Sequence, residues 1–517
     1  MDAIVVVYSH HFTVKPLNSR MLQMVFSFSR RYLYRRSIYG KTGHILSEII
    51  KQYASADRER TVFRFHYNGL EDFKKFLKDR FITTDQYSIE YLDISQYDTV
   101  EYKLQPHFQP RPYQVPVIDY IVDPEYPRFK LLALNTGEGK TISTFFAMEK
   151  MKVKTIVIER PGYIDRWLDE INKVFVDIKV ITVAGTANLQ MFMKKVRDRE
   201  LDYDIALVSN KTMQLFITAY EKYGNQVISE EQYICPPQEF FQTVRAGFRV
   251  IDEVHQDFHF NFKLDLYTHI AYSLSLSATL VNKETFIEEM YQVAYPKELR
   301  YHSKIVHKFV KATCVYFSIN ERYHITSTRR GTSLYSQTAY EESLMRITPV
   351  FNDFKEMVGD IVKDGFINDM EKGDKLIIFA GTVKMCAELT HYLRTRFKEV
   401  SINKYTAEDD YSNLIDSDIR ITTMGSGGTA HDIPNLTTII KLVSLDSVQS
   451  NLQLIGRLRD IPGKDIKYIY LVDETQSKQV IYHRNAKKIL SNKIKSMRQM
   501  IYPKHLGGKK IGQYKSK

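Results

Sequence analysis

The stretch LLALNTGEGKTISTFF, residues 131–146, decides how the chain is read. An apolar run stops at a turn with two glycines, and Lys140 and Thr141 then open a second apolar run. A glycine-rich turn between a strand and a helix leaves consecutive backbone amides free to point at phosphate oxygens. A lysine placed there reaches the outer phosphates of a nucleoside triphosphate, and the next hydroxyl suits a magnesium ion. Gly137, Gly139, Lys140 and Thr141 are in place, whereas Leu134 stands where the usual G-x-x-x-x-G-K-[ST] spacing has its first glycine. An ordinary strand-to-helix turn with a surface lysine has the same local sequence, so the decision rests on its partners along the chain.

A site for ATP and magnesium needs a carboxylate at the end of a neighbouring buried strand and a second one to activate water. The segment FRVIDEVH, residues 248–255, supplies Asp252 and Glu253 after an apolar run, with His255 two positions on. Acids at the carboxyl end of such a strand lie where open parallel sheets bind ligands. In SLSLSATL, residues 273–280, Ser277 and Thr279 close another apolar run with hydroxyls suited to link the metal site to a second lobe. The segment NLQLIGRLRD, residues 451–460, offers Gln453, Arg457 and Arg459 on a predicted helix. An arginine that meets the γ-phosphate contributes roughly 10³–10⁵ in rate. In ITTMGSGGTAHDIPNL, residues 421–436, Thr422 and Thr423 end a strand, glycines bare the backbone, and Asp432 is in reach of the ribose or the arginine segment.

A chain of 517 residues is too long for one core and predicts two to four domains. Strand-like and helical segments alternate from about residue 110 to residue 310, and again after about residue 350. That rhythm predicts an α/β fold with two lobes, each a parallel sheet covered by helices. The expected divisions are a small N-terminal α/β domain at 1–105, lobe 1 at 106–310, lobe 2 at 311–483 and a basic tail at 484–517. The polar stretch 318–337 reads as a loop between the lobes, and 222–242 as an insertion in the first.

Charge is uneven. The net +12 is concentrated at the two ends: residues 1–60 carry 10 basic against 4 acidic side chains, and 484–517 carry 11 basic and no acidic ones. Basic ends on a slightly acidic body suit added contacts to a polyanion. Within RRYLYRRSIYGK, residues 30–41, Arg30, Arg31, Arg35 and Arg36 alternate with tyrosines, a mixture suited to phosphates and stacked bases, although strand periodicity equally sends Tyr32 and Tyr34 to the core. The three cysteines, Cys235, Cys314 and Cys386, are far apart, which predicts neither a zinc site nor a disulfide framework and fits a cytoplasmic setting. No stretch approaches the ~18 apolar residues of a membrane span.

In order and spacing, residues 110–480 resemble the superfamily 2 helicases and translocases of the DExH type. RPYQ looks like the upstream glutamine motif, LNTGEGKT like motif I, DEVH like motif II and SAT like motif III. IIFAGT, TTMGSGGTAHD and QLIGR resemble motifs IV, V and VI. The resemblance implies two tandem RecA-like lobes using ATP and Mg2+. Gln114 would read the adenine, and the turn Thr136, Gly137, Glu138, Gly139 would cradle phosphates with Lys140 as ligand. Thr141 and Asp252 would form the magnesium shell, Glu253 would be the base, and Gln453 with Arg457 would meet the γ-phosphate. Arg160, Gly162, Gly381, Thr382, Thr422 and Thr423 would track a nucleic-acid backbone. Asp460 occupies the last position of motif VI, usually arginine, so Arg457 and Arg459 compete for the finger role. The layout is similar to phage recombination helicases of the UvsW type, which implies a monomeric motor on branched, displaced-strand or hybrid structures, on DNA in preference to RNA. The competing readings are a duplex translocase that does not separate strands and a nucleotide-switched nucleic-acid-binding protein.

Overall fold

The computed structural model describes residues 1–517 except 40–44, 93–95, 126–128, 135–137, 230–232, 279, 281–283, 303–307, 329–333, 407, 408, 410, 411, 428–432, 492, 493, 509–514 and 517. The chain divides into two compact units, Met1–Ser303 and Lys304–Lys517.

The first unit is built on a seven-stranded sheet. Its order is Val180–Val183, Ile205–Ser209, Thr155–Glu159, Phe248–Ile251, Tyr272–Ser277, Phe129–Ala133, Arg300–His302. Every neighbouring pair is parallel. Helices cover both faces, so the central strands are buried on both sides, and the polar positions of Tyr272–Ser277 are small serines. The helix Ile164–Val174 shows the complementary pattern, burying Ile164, Trp167, Ile171 and Val174 on one face.

The N-terminal segment forms its own five-stranded sheet, in the order Ser55–Ala56, Phe63–His66, His11–Pro16, Ala3–Val7, Tyr87–Tyr91. Its two faces have different fates. Phe12 and Phe65 meet the helices Ser19–Ser29 and Leu70–Lys78 through Phe73 and Phe28. The next residues along the same strands, His11 and His66, point the other way and meet His269 and Phe262 of the large-sheet lobe. One apolar core therefore runs from Ala3 to Tyr295, and Asn68 donates to the Val293 carbonyl at 2.9 Å. The N-terminal region has its own sheet without a separate core. A hairpin, Leu33–Tyr39 against Ile45–Gln52, projects from it. The stretch read as an insertion is packed rather than peripheral, with Tyr233, Cys235, Phe240 and Phe241 buried.

The second unit carries an eight-stranded sheet in the order Ile402–Tyr405, Ile419–Thr423, Lys375–Ala380, Leu436–Lys441, Ile466–Asp473, Val310–Phe317, Ile494–Ile501, Lys515–Ser516. All pairs but the last are parallel. The two large sheets are the two parallel-sheet lobes of the α/β expectation. Two parts of the sequence reading are corrected. The stretch 318–337 lies inside the second unit, because the strand Val310–Phe317 before it belongs to that sheet. The basic segment 484–517 is no solvated tail: Ile494–Ile501 pairs with Val310–Phe317, Tyr502 and Leu506 are buried, and Lys504 reaches Asp353 at 2.6 Å. Only one face of that strand packs inward, so its lysines and arginines hide a sparse apolar pattern. The three cysteines are buried and form no disulfide. Among the described residues, no helix is long and apolar enough to cross a membrane.

Candidate functional site

The glycine turn closes the strand Phe129–Ala133 and opens the helix Lys140–Met151, whose N-cap is Gly139 in the left-handed region at φ 78°. A side chain at Gly139 would also strike the amide nitrogen of Gln114, so glycine is required on two counts. Gln114 is buried, and its amide oxygen accepts the Arg111 backbone N–H at 2.9 Å. That bond turns the other end of the amide toward the turn. Thr136 and Gly137 lie outside the described residues; Glu138 and Thr141 flank the helix start and are half-buried. Lys140 folds back to donate to the Leu134 carbonyl at 3.0 Å. Burial lowers its pKa, while the carboxylates of Glu253, Asp252 and Glu138 act to raise it. The lysine and both motif acids thus share one electrostatic site, as the sequence predicted.

The acids follow the fully buried strand Phe248–Ile251. Asp252 is oriented by two donors: the Glu253 backbone N–H at 2.8 Å and the Trp167 indole N–H at 3.2 Å. Glu253 has a left-handed backbone, φ 46°, which for a residue with a side chain costs about 1–3 kcal/mol and persists where its surroundings impose it. Burial, then the nearby Asp252, push its carboxyl up to about 7, against the pull of Lys140, Arg166 and Arg160. A third carboxyl, Glu159, is buried beside them and held well above the ordinary range by burial and by Asp252. It accepts the Arg160 N–H at 2.7 Å. Sequence reasoning missed Trp167 and Glu159. The signals were the chain's one tryptophan on the helix after the second strand, and an acid ending an otherwise apolar strand.

Crowding raises the Glu253 and Glu159 carboxyls toward their neutral forms, and a divalent cation beside them would favour the charged forms instead. The Thr141 hydroxyl and the Asp252 carboxylate are the hard oxygen donors that magnesium takes. His255 bonds Ser277 Oγ at 2.8 Å and stands 3.3 Å from Glu253 Oε2, so the predicted coupling pair is in contact. Burial and the Lys140 charge hold its pKa down to about 3, which keeps the ring neutral. Thr279 lies outside the described residues. Arg160 donates to Asp257 at 2.7 Å, and Asn210 shares that carboxylate at 2.8 Å. Gly162 sits in the turn Pro161–Tyr163 with open space around it.

In the second unit Gln453 lies on the helix Val448–Ile455, but Arg457 and Arg459 do not. Gly456 caps that helix, and both arginines follow its end, which corrects the helical placement. Arg459 turns back onto the carbonyls of Gly456 and Leu458, whereas Arg457 is buried. The Gly381 N–H and the Thr382 hydroxyl both donate to the buried Glu341, at 2.7 and 2.8 Å. Thr382 also caps the helix Val383–Arg396. Thr422 is buried, Thr423 bonds Ser426 Oγ at 3.1 Å, and Asp432 lies outside the described residues. In the N-terminal region Arg30, Arg31 and Arg35 are exposed, with Arg31 4.9 Å from the centre of the Phe76 ring. Tyr32 belongs to the core, and the side chain of Arg36 lies outside the described residues.

Residues 107–282 match the family described as "Type III restriction enzyme, res subunit". That span contains Gln114, Lys140, Asp252, Glu253 and Ser277. No curated protein matches the chain in sequence. Similar solved structures include two of an S. cerevisiae Dbp5 variant. One, bound to a Gle1 variant and IP6, is 14% identical, with 77% of this chain and 90% of that one covered and a TM-score of 0.49. The other, bound to RNA and ADP BeF3, is 14% identical, with 76% and 90% covered and a TM-score of 0.48.

Proposed function

We propose that this chain is an ATP-dependent motor on nucleic acid, a superfamily 2 helicase. The observation that carries the reading is the meeting, in the first unit, of Lys140 with Asp252 and Glu253 beneath a glycine turn backed by Gln114. The family matched over residues 107–282 supports it. In this reading Gln114 meets the adenine, while Lys140 and the amides after Gly137 hold the phosphates. Thr141 and Asp252 would hold magnesium, which when bound offsets phosphate charge. Glu253 takes the proton of the attacking water. Gln453 would donate its amide N–H and Arg457 its positive charge to the γ-phosphate, and Asp432 would serve the ribose. Arg457 and Arg459 are the two candidates for the finger, and Arg459 also donates to the carbonyls of its own turn. Arg160, Gly162, Gly381, Thr382 and Thr423 line the backbone track, with Thr422 setting the turn from beneath. Arg30, Arg31 and Arg35 add phosphate contacts. DNA with branched, displaced or hybrid strands is the substrate, and the motor works as a monomer in the cytoplasm.

The test is ATP turnover measured with single-stranded, duplex, hybrid, forked and four-way DNA, and with RNA. Stimulation greatest with branched DNA is expected; turnover that no nucleic acid changes would overturn the reading. A second reading, a duplex translocase that does not separate strands, draws on the restriction-enzyme description of the matched family. Stimulation by duplex without strand displacement selects it.

A further inference from the structure

A cavity of about 520 Å³ opens within the first unit, between the N-terminal hairpin, the helices Asn210–Tyr223 and Thr285–Ala294, and the loop that follows Glu253. The volume lies in the range of small-ligand sites. Of its aromatic lining residues Tyr34 is half-buried, whereas Tyr53, Phe258 and Tyr291 are buried, the last two edge-to-face at 4.3 Å. Polar groups converge among them. Gln256 lines the cavity, and its side-chain oxygen has no protein hydrogen-bond partner; Thr218 adds a hydroxyl. Lys51, on the hairpin, is exposed at the edge. One half-exposed ring, Tyr34, a hydroxyl at Thr218 and a cation at the rim suit one nucleotide unit: a base against the ring, an edge atom on the hydroxyl and a phosphate outside.

The position adds the second argument. His255 lines this cavity and also contacts Ser277 and Glu253. Asp257, the partner of Arg160, lines it too. A ligand here therefore touches residues one contact away from the catalytic acid and the backbone track. We propose that the cavity receives one unstacked nucleotide of the tracked strand and reports its presence to Glu253 through His255. This rests on the motor reading above. It gives the fused N-terminal region a role in reading the bases of the strand, which backbone contacts leave unread.

Thr218→Trp and Gln214→Trp each fill the cavity from an exposed helix position and leave the ATP residues untouched. Affinity is measured for a fluorescent single-stranded oligonucleotide and for the same strand made abasic, together with turnover with and without strand. Wild type should prefer the base-bearing strand by about tenfold, the scale of one stacked base. Both filled variants should lose that preference and most of the stimulation, with turnover in the absence of strand unchanged. Filled variants that keep the preference and the stimulation overturn the proposal, while a wild type that binds no strand overturns the motor reading itself. Thymidine monophosphate is the remaining probe. If it competes with the strand on wild type at micromolar concentration, the occupant is a free nucleotide and the strand assignment fails.

Discussion

The carboxyl ends of the two large sheets look alike in topology and differ in how their polar groups are used. In the first unit the strands end in Glu159, Asp252, Glu253 and Ser277, and the acids crowd one another. Glu253 is half-buried, raised in pKa and set in left-handed backbone. In the second unit the comparable ends are clamped. Glu341 takes the Gly381 and Thr382 donors, and Asp473 accepts the Thr475 N–H and the Tyr340 hydroxyl, both at 2.9 Å. Burial raises Glu341 and Asp473 as it raises Glu253; what sets the first end apart is the left-handed backbone of Glu253 and its like-charge neighbours, which a folded chain keeps only where its surroundings impose them.

That contrast breaks if substitutions on the two sides have the same effect. The largest expected effect is on Glu253→Gln, which should cut turnover by about 10²–10⁴-fold while ATP still binds. Its thermal midpoint should hold or rise, since a buried like-charge contact is removed; steady-state phosphate release and a melting curve check both. Glu341→Ala is the mirror experiment. It leaves the Gly381 N–H and the Thr382 hydroxyl without their acceptor and should cost about 1–3 kcal/mol in denaturant unfolding of the second unit. If this variant instead loses turnover at full stability, the division of labour fails. The smallest effect is in pH. Because the folded chain holds the Glu253 proton to about 7, the base becomes competent only as pH rises through that region. The acid limb of kcat/KM should fall well above the ordinary carboxylate range, and a limb near pH 4 would remove Glu253 from the role of base.

Much of the site was legible because its chemistry is local. The turn at Gly139–Thr141, the acids after Phe248–Ile251 and the hydroxyl at Ser277 each end an apolar run, and a parallel sheet gathers strand ends by construction. The contact of His255 with Ser277 joins two such strand ends. Glu159 was not picked out, since one acid at a strand end gains meaning only from neighbours that are remote in sequence. The arginines of NLQLIGRLRD were placed on a helix because apolar spacing continues through Leu458; Gly456 ends the helix first.

The sequence by itself determined the alternation of strands and helices, the two parallel sheets and the phosphate turn with its acids, because periodicity and turn chemistry act over a few residues. Tertiary structure alone decided that the described parts of both basic ends pack against the large sheets. The N-terminal sheet has a second face, lined by His11 and His66, that needs cover and finds it on the first lobe. The strand Ile494–Ile501 is half-exposed, so net charge masks a pairing that only the neighbouring strand Val310–Phe317 makes favourable. Burial depends on partners far along the chain, and composition does not carry that information.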